Sequence, residues 1–150
     1  MSIEIITESS DELIAAMERL IPQLSRSAKP LDADACARFV AQPGVHLIVF
    51  RPDEADESGE RPILGMLSLA TFEIPTGVRA WVEDVVVDEA ARGQGAGLEL
   101  VEAALERAKE VGARTVDLTS RPSREAANRL YRRAGFAQRE TNVYRVALEG

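Results

Sequence analysis

The sequence predicts one domain of mixed α/β class, with the element order β-α-α-β-β-β-α-β-α-β-β over residues 1–150. Three observations carry this prediction. Apolar β-rich runs follow one another through polar loops without an intervening helix, which indicates antiparallel strands. The run Val85-Val86-Val87 enters a glycine-rich loop and a helical pattern leaves it, which indicates a β-α-β crossover. A chain of 150 residues is long enough for a single core, and it shows no linker or internal repeat.

Apolar periodicity and its interruptions define the first half of the chain. After a first strand, Ser9-Ser10-Asp11 provides a helix cap, and apolar residues at helical spacing continue to Pro22, where we expect that helix to end or bend. A second, shorter helix begins at Asp32 or Asp34 and ends near Pro43-Gly44. The strands of this half are predicted at Ile3–Thr7, Val45–Phe50 and Ile63–Phe72, and a long exposed loop, Pro52–Pro62, separates the last two.

The second half begins with a turn at Ile74–Gly77, where proline and glycine occupy the positions that a type I turn favours. One helix follows the glycine loop and ends near Gly112, and another begins at Pro122-Ser123 and is closed by Gly135. The strands of this half are predicted at Arg79–Val87, Arg114–Thr119, Phe136–Arg139 and Val143–Leu148.

The glycine loop between Val87 and Leu98 has the composition of a phosphate-binding loop. Three glycines allow a close approach of the backbone to a ligand, and the N-terminus of the following helix favours an anion. Two well-known fingerprints do not fit: Leu98 stands where a dinucleotide motif needs its third glycine, and no lysine follows as in a P-loop. The pattern that remains is Arg92-x-x-Gly95-x-Gly97, and taken alone it is also compatible with a simple glycine-rich turn.

Two motifs together give the chain a family resemblance. The loop pattern, entered from a strand carrying Glu83-Asp84, resembles the pyrophosphate loop of the GNAT family of N-acetyltransferases, which bind acetyl-coenzyme A. Leu130-Tyr131-Arg132-Arg133-Ala134-Gly135-Phe136 is similar to that family's L-Y-x-x-x-G-F segment and lies at a comparable distance from the loop. The chain departs from the family at Arg124, where asparagine is common, and Asn128 is a candidate for supplying an amide instead.

The resemblance implies a set of contacts to acetyl-CoA and no metal. The strand at Val85, Val86 and Val87 is expected to pair with the pantetheine arm after it splays from the next strand, although the same run is also compatible with an ordinary buried strand. The coenzyme-binding residues predicted around the pyrophosphate are Arg92, Gly93, Gln94, Gly95, Ala96 and Gly97, with Asn128 on the last helix.

The resemblance also implies two candidate catalytic residues. Tyr131 is expected to protonate the leaving thiolate; its alternative is a tyrosine packed on the core. Glu83 is expected to take the amine proton through a water, and its alternatives are binding an ammonium group or facing solvent. Because side chains alternate along a strand, Glu83 and Asp84 should point in opposite directions unless a β-bulge intervenes.

Composition narrows the function classes. The formal charge of -7 and the isoelectric point of about 4.8 argue against nucleic acid as a partner. The chain has a single cysteine, Cys36, which excludes an internal disulfide and suits a reducing compartment. With only one cysteine and one histidine, the chain has too few ligands for a structural zinc site. There is no signal peptide and no apolar run long enough to cross a membrane, so the expected location is cytoplasmic.

We therefore expect an acetyl-CoA-dependent N-acetyltransferase that acts on a primary amine of a small molecule. The alternatives are a protein N-terminus or lysine as acceptor, and a non-catalytic acyl-CoA sensor. Acceptor choice is expected in the two early helices and in loops 52–62 and 74–77. The sequence leaves open whether Tyr144 lines the acceptor site or a dimer contact, and a homodimer, common in the family, stays undecided.

Overall fold

Antiparallel neighbours build most of the sheet, as the strand-rich first half predicts. The computed structural model describes residues 2–149 of the chain. Its strands are β1 Ser2–Ile6, β2 Val45–Arg51, β3 Gly65–Ile74, β4 Gly77–Val87 and β5 Ala113–Asp117, and its helices are α1 Asp11–Leu24, α2 Ala33–Ala41, α3 Ala96–Glu110 and α4 Glu125–Arg133. The strands lie in the order β1-β2-β3-β4-β5, with β4 and β5 parallel and the other neighbours antiparallel.

Two apolar clusters cover the two faces of this sheet. Helices α1 and α2 pack on one face and α3 and α4 on the other. Strand β2 shows the alternation: Leu47 and Val49 face the α1/α2 cluster, while Ile48 and Phe50 face the α3/α4 cluster. Because both faces are covered, β2 is buried on both sides and reads as a continuous apolar run.

A β-bulge in β4 reverses which residues face which cluster. In the register of β3 and β4, Met66 pairs with Val86 but Ser68 pairs with Glu83, so β4 carries one extra residue at this point. Before the bulge Val82 belongs to the α3/α4 cluster, and after it Val86 belongs to the α1/α2 cluster. Asp84 has φ of 49°, the only non-glycine residue with positive φ among residues 2–149. The bulge therefore concentrates backbone strain at the acidic pair.

The predicted caps agree with the structure, and the helix ends differ in part. Ser10 accepts a hydrogen bond from the Leu13 N–H, and Asp32, rather than Asp34, caps α2. Pro22 does not end α1, which continues to Leu24 because Leu24 packs against the α1/α2 cluster. Helix α4 begins at Glu125, after a turn that contains Pro122-Ser123.

The element order is as predicted through α4, but the two strands expected after it are not paired in this chain. Residues 136–149 contain no strand, and residues 137–149 are all exposed. A strand needs a hydrogen-bonded neighbour, and this segment is not among the five paired strands of the sheet. Within residues 2–149, no helix is both long and apolar enough to span a membrane.

Candidate active site

Strands β4 and β5 separate at the point where β4 carries its acidic pair. Their parallel pairing runs from Val78 with Ala113 to Trp81 with Asp117 and then stops. Beyond Trp81, β4 is paired only with β3, so its other edge is open. The splay expected of these two strands is therefore present, and it leaves unpaired backbone groups along one side of an opening.

A cavity of about 170 Å³ lies at this opening. Because the bulge interrupts the alternation, Glu83 and Asp84 are both exposed at its wall rather than on opposite faces of the sheet. The lining residues come from the end of α1, from β4, from the segment after β5 and from α4: Leu24, Val82, Glu83, Asp84, Val85, Leu118, Thr119, Arg124 and Tyr131. Of the two early helices expected to form an acceptor wall, only α1 reaches this cavity.

The direction of the backbone along the end of β4 follows from one hydrogen bond. The Asp88 N–H donates to the Leu64 carbonyl oxygen at 2.8 Å, so the backbone of Asp88 faces β3. Since backbone direction alternates along a strand, Val86 also faces β3, and Val85 and Val87 face the opening. The coenzyme contact predicted at Val86 is therefore not available from its main chain, and its side chain is buried in the α1/α2 cluster.

The glycine loop forms a 3-10 turn, Glu89–Ala91, followed by the start of α3. Gly93 and Gly95 have φ of 82° and 79°, the left-handed conformation that glycine adopts at little cost. Gly95 is the N-cap of α3 and supplies no side-chain acceptor. The first-turn amides of Ala96 and Gly97 therefore lack an intrahelical acceptor, as helix geometry requires, and are free for an anion.

Two loop amides are already used within the turn. The Arg92 N–H donates to the Glu89 carbonyl oxygen at 3.3 Å, and the Gln94 N–H donates to the Ala91 carbonyl oxygen at 3.3 Å. The main-chain amides of Arg92 and Gln94 therefore already have hydrogen-bond acceptors within the chain. The Arg92 side chain remains exposed, 4.0 Å from a Glu89 carboxylate oxygen, so its charge is still at the loop.

Helix packing explains why residue 97 is a glycine, and the sequence pattern does not reveal this. A Cβ at this position would lie 2.8 Å from Leu130 Cδ1 of α4. The absence of a side chain at Gly97 therefore lets α3 and α4 approach each other closely where the loop ends.

Helix α1 holds the entry of the loop in place. Arg19 Nε donates to Asp88 Oδ2 at 3.1 Å, and its guanidinium also donates to the Ile63 carbonyl oxygen. Asp88, which is buried, accepts the Ala90 N–H on its other oxygen at 3.1 Å. Gln23 adds a bond by accepting the Glu89 N–H. These hydrogen bonds between α1 and the loop could not be predicted from the sequence, because Arg19 and Asp88 lie 69 residues apart.

Tyr131 lies on α4 at the cavity, with its ring 6.0 Å from that of Phe136 in an edge-to-face arrangement. It is 8% exposed, so both predicted environments apply: the ring packs on the core and the side chain lines the opening. Burial raises the pKa of the Tyr131 hydroxyl, and the nearby charge of Arg124 partly opposes this rise. The phenol is therefore protonated at neutral pH and available as a proton donor.

The positions of Arg124 and Asn128 differ from those expected from the sequence. Asn128 Nδ2 donates to the Arg121 carbonyl oxygen at 3.0 Å and so fixes the turn before α4. Asn128 is not among the residues that line the cavity, whereas Arg124 is. A coenzyme contact at Asn128 stays a prediction, and Arg124, the residue before α4, lines the opening together with Tyr131.

Other candidate residues take structural roles. Cys36 is fully buried in α2, and burial raises the pKa of its thiol. His46 Nδ1 accepts from Arg107 Nε at 3.3 Å, and its Nε2 lies 3.2 Å from Thr71 Oγ1, away from the cavity. In residues 2–149, no group of three or more His, Cys, Asp or Glu side chains is arranged to hold a metal ion.

A sheet that opens beside a glycine loop, with a tyrosine and two acids at the opening, defines the class of acyl-coenzyme A transferases that the sequence resembles. The profile of the Acetyltransferase (GNAT) family matches residues 12–136. The chain therefore belongs to this family.

Individual relatives agree with that assignment. The chain is 47% identical over 58 residues to a probable glucosamine 6-phosphate N-acetyltransferase 2 from Oryza sativa subsp. japonica; the match covers 39% of this chain and only about a third (33%) of the rice protein. A putative acetyltransferase from Agrobacterium tumefaciens str. C58 superimposes with a TM-score of 0.79 at 25% identity, over 98% of this chain and 100% of that one. An aminoglycoside acetyltransferase from an uncultured soil metagenomic sample, in complex with sisomicin, has a TM-score of 0.81 at 19% identity, over 99% and 96% of the two chains, and shares the fold.

Proposed function

We propose that this protein is an acetyl-CoA-dependent N-acetyltransferase that transfers an acetyl group to a primary amine of a small molecule. The observation that carries the proposal is the unpaired edge of β4 at Val85 and Val87, located between the glycine loop and Tyr131. An extended ligand can add to such an edge as a strand does. Its two ends would then reach a diphosphate site and a proton donor.

The diphosphate of the coenzyme would be held by the amides of Gly93, Gly95, Ala96 and Gly97. Two of these are first-turn amides of α3, where the helix dipole adds a favourable field for negative charge. The exposed Arg92 side chain adds a full charge beside them. The pantetheine arm would follow the open edge of β4, donating to and accepting from Val85 and Val87.

The reaction requires an attack by a neutral amine on the thioester carbonyl carbon. A C–N bond forms, the C–S bond breaks, and the thiolate of coenzyme A takes a proton. Tyr131 supplies that proton and recovers one from solvent. With ordinary pKa values for a tyrosine and a thiol the transfer is uphill by about 2 kcal/mol. Burial raises the pKa of Tyr131 and increases that cost, while Arg124 reduces it.

The amine would enter on the side of Glu83 and Asp84. Two carboxylates at one cavity wall attract an ammonium group, and Glu83 then accepts a proton from the amine, directly or through water. The cavity is smaller than most complete ligand sites, so it suits the reacting ends of donor and acceptor rather than a whole peptide. The name of the rice relative supports an amino sugar as the first acceptor to test.

We place the protein in the cytoplasm, where acetyl-CoA is available and where a lone cysteine such as Cys36 stays reduced.

The decisive test is release of coenzyme A thiol from acetyl-CoA in the presence of glucosamine 6-phosphate, an aminoglycoside, a polyamine or a peptide with a free N-terminus. We expect turnover on a small amine and a product that is heavier by one acetyl group. Tight coenzyme binding without turnover on any acceptor would indicate a sensor instead. Turnover on the peptide alone would assign a protein acceptor, and absence of coenzyme binding would reject the proposal.

The role of Glu83 is tested separately with Glu83→Gln, which keeps the shape of the side chain and removes its basicity. We expect turnover to fall about tenfold or more, with an altered pH profile and unchanged coenzyme affinity. Asp84→Asn is the matched control at the same wall. A wild-type pH profile in Glu83→Gln would remove Glu83 from proton transfer.

A further inference from the structure

Asp88 joins the two parts of the proposed coenzyme site. Its N–H donates to the Leu64 carbonyl oxygen at 2.8 Å, which sets the direction of the backbone at the end of β4. Its carboxylate accepts the Ala90 N–H at 3.1 Å and so caps the 3-10 turn at the start of the glycine loop. The positions of the open edge of β4 and of the loop amides therefore both depend on the orientation of Asp88.

The Asp88 carboxylate is held by a residue of a different element. Its side chain is only 12% exposed, and Arg19 of α1 forms an ion pair with it, from Nε to Oδ2 at 3.1 Å. The same guanidinium donates to the Ile63 carbonyl oxygen, in the segment just before β3. A buried carboxylate without its cation is costly, and two bonds from one planar group restrict where that group can lie. Arg19 thus fixes Asp88 relative to the segment that precedes β3.

A second residue of α1 holds the next position of the loop. Gln23 lies about one helical turn after Arg19, and its side-chain oxygen accepts the Glu89 N–H at 3.3 Å. Glu89 begins the 3-10 turn. The amide nitrogen of Gln23 donates to the Arg19 carbonyl oxygen at 3.2 Å, which orients the side chain along the helix. Two consecutive loop residues are therefore bonded to side chains of α1.

We propose that Arg19, and to a smaller extent Gln23, are positioning residues for the diphosphate of the coenzyme, acting through the loop rather than by touching the ligand. This inference rests on the proposed function. A loop that is already held in its binding conformation loses less entropy when the ligand binds. Arg19 also balances the negative charge of Asp88 at the entry of a loop that receives an anion. Helix α1 then contributes to coenzyme affinity in addition to lining the cavity with Leu24.

The first turn of α1 offers a matched control. Glu12 forms an ion pair with Arg51 of β2 at 2.7 Å. Arg51 also bonds to Glu4 and to the Arg61 carbonyl oxygen, so this pair attaches α1 to the sheet. Glu12→Gln weakens that attachment and leaves the bonds of Asp88 in place.

The test is the affinity of the full chain for coenzyme A, measured by calorimetry, with folding checked by circular dichroism. We expect Arg19→Gln to raise the Kd about tenfold, because the loop must then be ordered during binding, and Glu12→Gln to leave it within about twofold. Gln23→Ala, at an exposed position, should raise the Kd about twofold to threefold. With an amine that is acetylated, Arg19→Gln should raise the KM for acetyl-CoA and leave kcat at saturation nearly unchanged.

A double-mutant cycle tests whether Arg19 acts through Asp88. Asp88→Asn keeps a side-chain oxygen for the Ala90 N–H and removes the charge that Arg19 balances. We expect Arg19→Gln to cost much less coenzyme affinity in the Asp88→Asn background than in the wild type. The same cost in both backgrounds would overturn the proposal.

The affinities also separate this inference from the proposed function. A wild-type chain that does not bind coenzyme A would reject both. Binding by the wild type with an unchanged Kd in Arg19→Gln, or an equal loss in Glu12→Gln, would overturn this inference alone. Should Arg19→Gln fail to fold, Gln23→Ala decides, and a wild-type Kd in that variant would overturn the proposal.

Discussion

The two halves of β4 differ in how their edges are used. From Val78 to Trp81 the strand is paired on both sides and contributes to the core. From Val85 to Val87 it is paired only with β3, and its other edge faces the candidate site. The bulge at Asp84 separates the two halves and turns both acids toward the opening. The candidate site thus lies where the regular pairing of β4 with β5 stops.

The largest effect should come from Tyr131, the proposed proton donor, which lines the opening beside the unpaired half of β4. Tyr131→Phe removes the hydroxyl and keeps the packing against Phe136, so we expect turnover to fall by about 10²-fold or more. Coenzyme affinity, measured by calorimetry, should stay within a few-fold of the wild type. Tyr144→Phe is the control because Tyr144 is exposed and does not line the cavity. Equal rates for Tyr131→Phe and the wild type would assign the ring a packing role alone.

The next effect concerns the diphosphate site. Gly95→Val forces a β-branched residue to φ of 79° and disturbs the first turn of α3, so we expect coenzyme affinity to fall by about 10²-fold. The measurement is calorimetric titration with coenzyme A.

Gly59 supplies a matched control for that substitution. It has φ of 84° and open space around it, in the loop between β2 and β3. Gly59→Val should therefore carry a similar backbone strain without changing coenzyme affinity. A similar loss of affinity in both variants would place the diphosphate elsewhere.

A smaller effect is expected at the bulge itself. Asp84→Val should lower the free energy of unfolding by about 1–3 kcal/mol, because a β-branched residue is strained at positive φ. Asp84→Gly relieves the same strain and should be neutral or stabilising. Chemical denaturation measures both. If the two variants were equally stable, the bulge would not be held at Asp84.

The smallest effect should be on the pH dependence of stability, through His46 of β2, which lies away from the cavity. Burial, and secondarily the charge of Arg107, lower the pKa of His46, so the folded state binds fewer protons than the unfolded state. This stability is present above about pH 6.5 and is lost as the pH falls. We expect His46→Gln to weaken the decrease in unfolding free energy between pH 7 and 5. A pH dependence equal to that of the wild type would contradict it.

The sequence predicts local features well and long-range ones poorly. The glycine conformations at 93 and 95, the cap at Ser10 and the helix that carries Tyr131 depend on neighbouring residues, and their patterns identify them. The bulge depends on the register with β3, which no local pattern of β4 contains. Residues 136–149 illustrate the same limit, since the sequence pattern predicts strands at Phe136–Arg139 and Val143–Leu148 while this segment contains no strand in the structure.

The position of Trp81 offers a direct way to observe the opening. It is the single tryptophan of the chain, and it belongs to the last residue pair between β4 and β5. Its indole emission should therefore respond when a ligand separates or tightens the two strands. The unlabelled protein therefore carries its own optical reporter where the two strands separate, and a fluorescence titration can follow occupancy without a coupled assay.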